Sequence, residues 1–388
     1  MRVLLVGSRA PERQGTGDAK LAFNARAALT AAGHQVSIVV LQREPAPARA
    51  MYTLGALLTG QPLQIGMTAS PSTRKRIQQL AAEQPPDLVV AVHARAAAQV
   101  PRKLRARGLA LIIDAYGRNY QTYPGHISKP LELVYRVEQR RMVRLERNIV
   151  AEFARTAVVS DLDVSYLQQF ATDQAAVVRL TYSVDLDFFG AIARRPMTDP
   201  PVFAFVGRLN YLPNRDAVRW LATEIWPALR RRWPSARMRV IGARPDRPLR
   251  RMLDRAGIEL VADALDIRPS LEDVVGLLVP MRMGGGIQTK MLEGMAASVP
   301  VLSTAFGCRG IGAQPDAEVL LAETPPDYVR QAERLVGDAR FAASLAAGGR
   351  AFVQRHHAPA LFERDLLETC AAIAAQTEQE SSRIIGRT

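Results

Sequence analysis

The sequence predicts an α/β protein of two consecutive domains, each a doubly wound, mostly parallel sheet flanked by helices. Three observations carry that expectation. Short, wholly apolar runs alternate with segments of helical periodicity, as buried parallel strands do when helices cover both faces of a sheet. The alternation stops at a Pro- and Arg-containing stretch, Arg194–Pro201, and restarts at Val202. The chain has 388 residues, more than one hydrophobic core usually organises.

The first domain opens as a βαβ unit. Val3–Val6 reads as a strand, Gly7–Asp18 as a glycine-containing loop, Lys20–Ala32 as a helix and Val36–Leu41 as the next strand. Asp18 is placed to cap the helix, and Gly33 follows its last periodic residue. Further buried strands are expected at Asp87–Val92, Ala110–Asp114 and Thr156–Val159. In the second domain strands are expected at Val202–Gly207, Met238–Gly242, Val274–Pro280 and Pro300–Thr304, with helices at Asp216–Arg232, Pro248–Ala256 and Thr289–Ala297. The expected division is 1–190 for an N-terminal Rossmann-like domain, 191–201 for the linker and 202–355 for a C-terminal Rossmann-like domain. Helices over 356–388 then pack back toward the N-terminal domain, with Gln376–Thr388 frayed.

Apolar residues at 48% and charged residues at 23% exclude a disordered or fibrous chain. Cys308 and Cys370 are the only cysteines, too few for a disulfide framework or a structural zinc site. Met1-Arg2 leads straight into a strand, so a cytoplasmic protein is expected. Ala50–Thr73 has no charged residue, yet its glutamines, prolines and glycines make it too polar to span a bilayer.

The formal charge is +14, and all but five of the 51 basic residues are arginine. Nucleic acid, an anionic membrane surface and phosphate-bearing substrates could each use that charge. Arg136, Arg140, Arg141, Arg144 and Arg147, interleaved with Glu138 and Glu146, form a strongly basic helix. With Arg102, Lys103, Arg105 and Arg107 it points to peripheral association of the N-terminal domain with the inner membrane face. Met51–Leu58 beside Arg74-Lys75-Arg76 is a second stretch suited to an interface.

The segment most informative about chemistry runs from Pro280 to Pro300. A strand ending at Pro280 delivers Gly284, Gly285 and Gly286 just before a helix that starts near Thr289. Glycines let backbone N–H groups approach an anion closely, and a helix N-terminus adds about half a positive charge there. Lys290 supplies a full charge at a position that disfavours the helix itself, which points to a bound anion such as a diphosphate. Glu293, one turn further on, can accept hydrogen bonds from paired ribose hydroxyls. His34, His93, His126 and His356-His357 are scattered, and no metal-ligand cluster is evident.

These residues carry a resemblance. The segments Phe205–Trp220, Val240–Pro245, Asp266–Pro269, Val279–Arg282 and Gly284–Val301 occur in the order and spacing of retaining glycosyltransferases of family 4 (group 1). Ala305–Ile311, Gly348–Arg350 and, upstream, Tyr182–Phe189 extend the match to about residues 180–355. The resemblance implies a GT-B architecture, two Rossmann-like domains facing each other across a cleft. It implies that Arg208 and Lys290 act on the donor diphosphate, and that Gly207, Arg282, Gly284, Gly285, Gly286, Ile287 and Glu293 complete the donor site. Two positions depart from the family pattern: Pro213 stands where a lysine is common, and Gly285 where an acidic residue is common. On the acceptor side, Arg9, Gln14 and Gly15 in the first loop, and His93, Asp114 and Tyr116 after strands, are expected to face the cleft.

The activity implied is transfer of a hexose from a UDP- or GDP-sugar to a glycan or lipid-linked acceptor with retention of configuration, in cell-envelope or exopolysaccharide synthesis. The nucleotide sugar is a co-substrate, and no metal or other cofactor is expected. A UDP-sugar 2-epimerase or a natural-product glycosyltransferase shares the fold. A basic nucleic-acid-binding protein is a more distant reading, and nucleic acid is not an expected partner because no zinc finger, helix-turn-helix or aromatic RNA-binding motif is present.

Overall fold

The computed structural model describes residues 1–195 and 199–385. Pro196–Thr198 of the expected linker and the last three residues of the expected tail lie outside the described residues. The chain divides into two compact units. One contains Met1–Tyr182, Gly285–Ile287 and the C-terminal segment from Ala360; the other contains Ser183–Gly284 and Gln288–Pro359.

The first unit holds a six-stranded sheet: β1 (Arg2–Gly7), β2 (Gln35–Val40), β3 (Leu88–Val92), β4 (Gly108–Ile113), β5 (Arg155–Val158) and β6 (Val177–Arg179), in the order β2-β1-β3-β4-β5-β6. All neighbours are parallel. Because successive side chains point to opposite faces, β1 sends Leu4 and Val6 to one core and Val3 and Leu5 to the other. The first core is closed by the helices Pro71–Glu83 and Lys129–Glu152 through Ile77, Ile149 and Val150. The second is closed by the helix Gly17–Ala31 through Leu21, Ala25 and Leu29, and by the C-terminal helix through Phe362, Leu366, Cys370 and Ile373. Both faces being covered, these strands read as continuous apolar runs, and each fully buried Leu or Phe contributes about 2 kcal/mol.

The second unit holds β7 (Val202–Val206), β8 (Arg237–Gly242), β9 (Glu259–Ala262), β10 (Val274–Val279), β11 (Val301–Ser303) and β12 (Leu320–Leu321), in the order β12-β11-β10-β7-β8-β9, again all parallel. The β8 end lies so close to the β7 end that a Cβ at Gly242 would fall 1.9 Å from the Gly207 carbonyl oxygen. Only glycine fits there.

Strand ends agree with the sequence reading to within a residue or two, and the structure departs from it in four respects. Asp18 does not cap its helix: Thr16 is the N-cap residue, and Asp18 sits in the first turn accepting hydrogen bonds from the Ser8 and Thr16 hydroxyls. The helix expected at Asp216 starts at Leu212, because Pro213 is favourable in a first turn. The stretch Gln376–Ile385, expected to fray, continues the helix Pro359–Ile385, and the Gln376 side chain accepts from Arg155 at 3.0 Å. β6, β9 and β12 have no counterpart in the sequence reading; all three are sheet edges and have four residues or fewer, too short for a periodic signal.

Candidate functional site

Each sheet has one topological switch point, where strand order reverses and the loops after two adjacent strands diverge to opposite faces. In the second unit the chain adds β8 and β9 on one side of β7 and then crosses to β10 on the other, so the switch lies between β7 and β10. In the first unit it lies between β1 and β3. Open parallel sheets bind ligands outside the carboxyl ends of strands at such points.

At the second unit's switch point, Gly207 and Arg208 follow β7, and Met281–Gly284 follow β10; the next three residues, Gly285–Ile287, group with the first unit. Arg208 is exposed, its guanidinium 6.0 Å from the Tyr211 ring centre. Its carbonyl accepts from the Asn214 amide at 3.0 Å, which fixes the loop. Gly284 has φ +104° and Gly286 φ +67°, both in the region that favours glycine. Gly284 and Gly286 are buried and Gly285 half-buried. A Cβ at Gly284 would stand 3.2 Å from Pro213, so the proline at the position where the family pattern has lysine packs against the glycine turn. Arg282 does not point free: its guanidinium donates to both carboxylate oxygens of Asp216 at 2.8 and 3.1 Å and lies 4.8 Å from the Trp220 ring centre.

Lys290 lies in the first turn of the helix Thr289–Ala296. It is only 9% exposed. Its ammonium donates to Gln288 Oε1 at 2.8 Å and lies 3.8 Å from Met281 Sδ, with the Phe205 ring centre 6.0 Å away. Burial pushes its pKa down to about 8, against the opposing pull of Glu293, which sits half-buried one turn along. A lysine whose nearest partners are a neutral amide and a thioether gains the most from an anion brought from outside.

The first unit's switch point carries a cluster. Asp18, buried, is met by Arg9 at 3.2 Å and Arg95 at 3.7 Å. Burial by itself would raise its pKa, but His93, the Ser8 and Thr16 hydroxyls and Arg9 together hold it at about 2. His93 directly follows β3 with φ +83°; its Nδ1 accepts from the Arg95 backbone N–H at 3.2 Å and its Nε2 lies 3.3 Å from the Tyr116 hydroxyl. Ile113 ends the neighbouring β4 with φ +71°, a conformation strained for a β-branched residue. Strain at the ends of two adjacent strands is what a functional rim stores. Asp114 follows immediately; desolvation, and then nearby Asp163, raise its pKa well above the carboxylate range despite Arg118. Gln14 and Gly15 lie farther along the first loop, Gln14 exposed and Gly15 packed on Glu12 and Ala19.

The structure thus brings Arg9, His93 and Tyr116 into one cluster with Asp18 and Arg95, neither of which the sequence reading assigned to the site. It also shows a buried acid network that the reading missed. Glu146 accepts from the Gly117 backbone N–H at 3.0 Å, and burial pushes its pKa up to about 8. Asp163, fully buried, receives the Arg118 guanidinium at 2.9 Å, and both polar atoms of the Asn119 side chain are buried without a hydrogen-bond partner. A signal for Glu146 existed: Glu138, Met142, Glu146 and Ile149 share one helix face and are all buried. Among the described residues, no group of three or more His, Cys, Asp or Glu is placed to hold a metal ion.

A model of the family described as "Glycosyl transferases group 1" matches residues 200–338, and one described as "Glycosyl transferase 4-like domain" matches residues 19–183. Between them they span both sheets. The chain belongs to the group 1 glycosyltransferases. Solved glycosyltransferase structures share its GT-B fold. The sucrose-phosphate synthase of Thermosynechococcus elongatus superposes with a TM-score of 0.68 at 15% identity, covering 100% of both chains. The trehalose-phosphate synthase (UDP-forming) of Burkholderia vietnamiensis gives 0.64 at 15% identity over 97% of this chain and 98% of its own. The HepE protein of Anabaena, solved with UDP and glucose, gives 0.63 at 12% identity over 96% and 99%. No curated protein matches by sequence. In this glycosyltransferase the group 1 match covers Arg208, the glycine turn, Lys290 and Glu293, whereas the cluster around Asp18 falls largely within or just before the 4-like match.

Proposed function

We propose that this glycosyltransferase moves a hexose from a nucleoside-diphosphate sugar, UDP- or GDP-linked, onto a glycan or lipid-linked acceptor with retention of configuration, in the cytoplasm and in the service of cell-envelope or exopolysaccharide assembly. The observation that carries the donor assignment is Lys290: a buried cation beside a glycine turn, at the switch point it shares with Arg208. The UDP-bound relative supports the nucleotide, and the family supports retention.

The chemistry follows from charge. Breaking the anomeric C–O bond places negative charge on the departing diphosphate while positive character builds on the anomeric carbon. Arg208 and Lys290, with the amides of Gly284–Gly286 and the N-terminus of the following helix, would stabilise that charge more in the transition state than in the ground state. Two cations and a helix end neutralise a diphosphate without a divalent ion, so no metal is proposed. Glu293 is assigned to the ribose hydroxyls. His93, Tyr116, Arg9 and Asp114 are assigned to the acceptor, with Gln14 and Gly15 in the same loop. The raised pKa of Asp114 favours its protonated form, which can donate a hydrogen bond.

A thermal-shift panel of UDP-, GDP-, ADP- and dTDP-sugars tests the reading. A ligand at 100-fold its dissociation constant stabilises by about 2.7 kcal/mol. Lys290→Ala and Arg208→Ala should each remove most of that shift and of nucleoside-diphosphate release in the presence of acceptor. If both variants keep the wild-type shift and rate, the donor assignment is wrong. Equal release without acceptor would favour the epimerase-type reaction of the same fold.

A further inference from the structure

Two helices of the first unit each leave an apolar face exposed. On Ala46–Thr59, Met51, Leu54 and Leu58 recur at helical spacing, and Leu58 is 81% exposed; Leu57 beside them is exposed as well. On Lys129–Glu152, Leu133, Val134 and Val137 are exposed in the first turns. The same outward stripe continues through Arg140 and Arg144, spaced three and four residues on, both exposed. The helices meet where the Arg141 guanidinium donates to the Leu57 carbonyl at 3.3 Å, and just beyond the shorter helix the Leu63 N–H donates to Glu138 at 2.7 Å.

The acids of the longer helix do not reach this surface. Glu138 and Glu146 are buried, Glu132 accepts from the Gly125 N–H at 2.8 Å, and Glu152 pairs with Arg102 and Arg105. The result is an apolar ridge grading into a purely basic one. That is the composition of an interfacial element rather than of a protein-binding groove, since leucines insert among acyl chains while arginines stay at anionic headgroups. No helix among the described residues is long and apolar enough to cross a membrane.

We propose that this two-helix face docks the enzyme on an anionic lipid bilayer. The inference is independent of which sugar or acceptor is used. Full-length protein is sedimented with vesicles of phosphatidylcholine alone and of phosphatidylcholine mixed with phosphatidylglycerol. Binding is expected only to the mixed vesicles, and it weakens as salt rises. Arg140→Ala/Arg144→Ala should lower partitioning by roughly fivefold for each arginine removed. Leu54→Ser/Leu58→Ser should lower it by about tenfold or more. Both variants should keep the donor-induced thermal shift, which shows that they fold. Wild-type partitioning by either variant, or equal binding to uncharged vesicles, overturns the proposal. So does a wild-type dimer in sedimentation velocity that Leu54→Ser/Leu58→Ser dissociates without changing vesicle binding. Vesicle binding without any donor shift would refute the transferase site and leave this surface standing.

Discussion

Replacing Lys290 with methionine should make the ligand-free protein more stable while destroying its affinity for donor. Burial lowers the lysine pKa from 10.5 to about 8. At about 1.36 kcal/mol per unit, that corresponds to roughly 3 kcal/mol of folding free energy spent on keeping the ammonium charged below pH 8. Methionine of similar length removes that penalty and gives up the hydrogen bond to Gln288, about 1 kcal/mol. The net gain is about 2 kcal/mol, or about 4–8 °C in Tm for a unit of this size. The sign with pH is fixed. A base whose folded pKa is depressed carries its full penalty below the folded value and none above the unfolded value, so the advantage of Lys290→Met should shrink between pH 8 and 10.5. Donor should show the reverse: about 100-fold or more weaker binding in the variant at pH 7. Wild-type affinity should fall about tenfold from pH 7 to 9 as the ammonium deprotonates. Differential scanning calorimetry across that range and isothermal titration with the best donor measure both. A variant less stable than wild type at pH 7, or a stability gap that does not narrow toward pH 10.5, refutes the reasoning.

Arg208→Ala, by contrast, removes an exposed side chain, so stability should change by less than about 0.5 kcal/mol in urea titration while kcat with donor and acceptor falls by about 100-fold or more. Glu146→Gln should be close to neutral at acidic pH. The native protein holds the Glu146 proton up to about pH 8, whereas the unfolded chain releases it near 4.5, so wild-type stability falls across that window. The glutamine variant should gain on wild type by several kcal/mol, on the order of 3 or more, as pH rises from 4.5 to 8, read by chemical denaturation. For Asp18→Asn a loss of about 2 kcal/mol is expected at pH 7. That loss should be fully present above 3.8 and vanish as pH falls through about 2.

The sheets were legible because their strands are buried on both faces, which leaves no polar alternation to blur the runs at Leu88–Val92 or Val274–Val279. The glycine turn and the first-turn lysine were legible as a candidate anion site because they run against local helix preferences, as functional positions do. What sequence hid is the environment of single charges. Whether Lys290 faces water or Gln288 depends on Met281 and Phe205, which come from two other strands' ends. Asp18 reads as a helix cap because Asp before an apolar run usually is one; Arg9 and Arg95, 77 residues from Asp18 in the second case, recruit it instead. Glu138 and Glu146 stood out only as acids interleaved in a basic helix, although their spacing with Met142 and Ile149 places them on the inward face.

The two switch points differ in where their compensating charge comes from, and that difference is the ground on which the diphosphate is assigned to one of them. In the first unit the cations Arg9 and Arg95 converge on Asp18, a carboxylate supplied by the chain itself and held ionised to about pH 2. A phosphate arriving there would have to compete with a buried anion already in place, and would meet its repulsion. In the second unit Lys290 donates to a neutral amide, and its pKa stays lowered because burial outweighs the pull of the half-buried Glu293. An arriving diphosphate would offset that cost and raise the lysine pKa as it binds. The proposed function accordingly assigns the anionic donor to Arg208 and Lys290, and the acceptor to the self-compensated cluster around His93 and Tyr116.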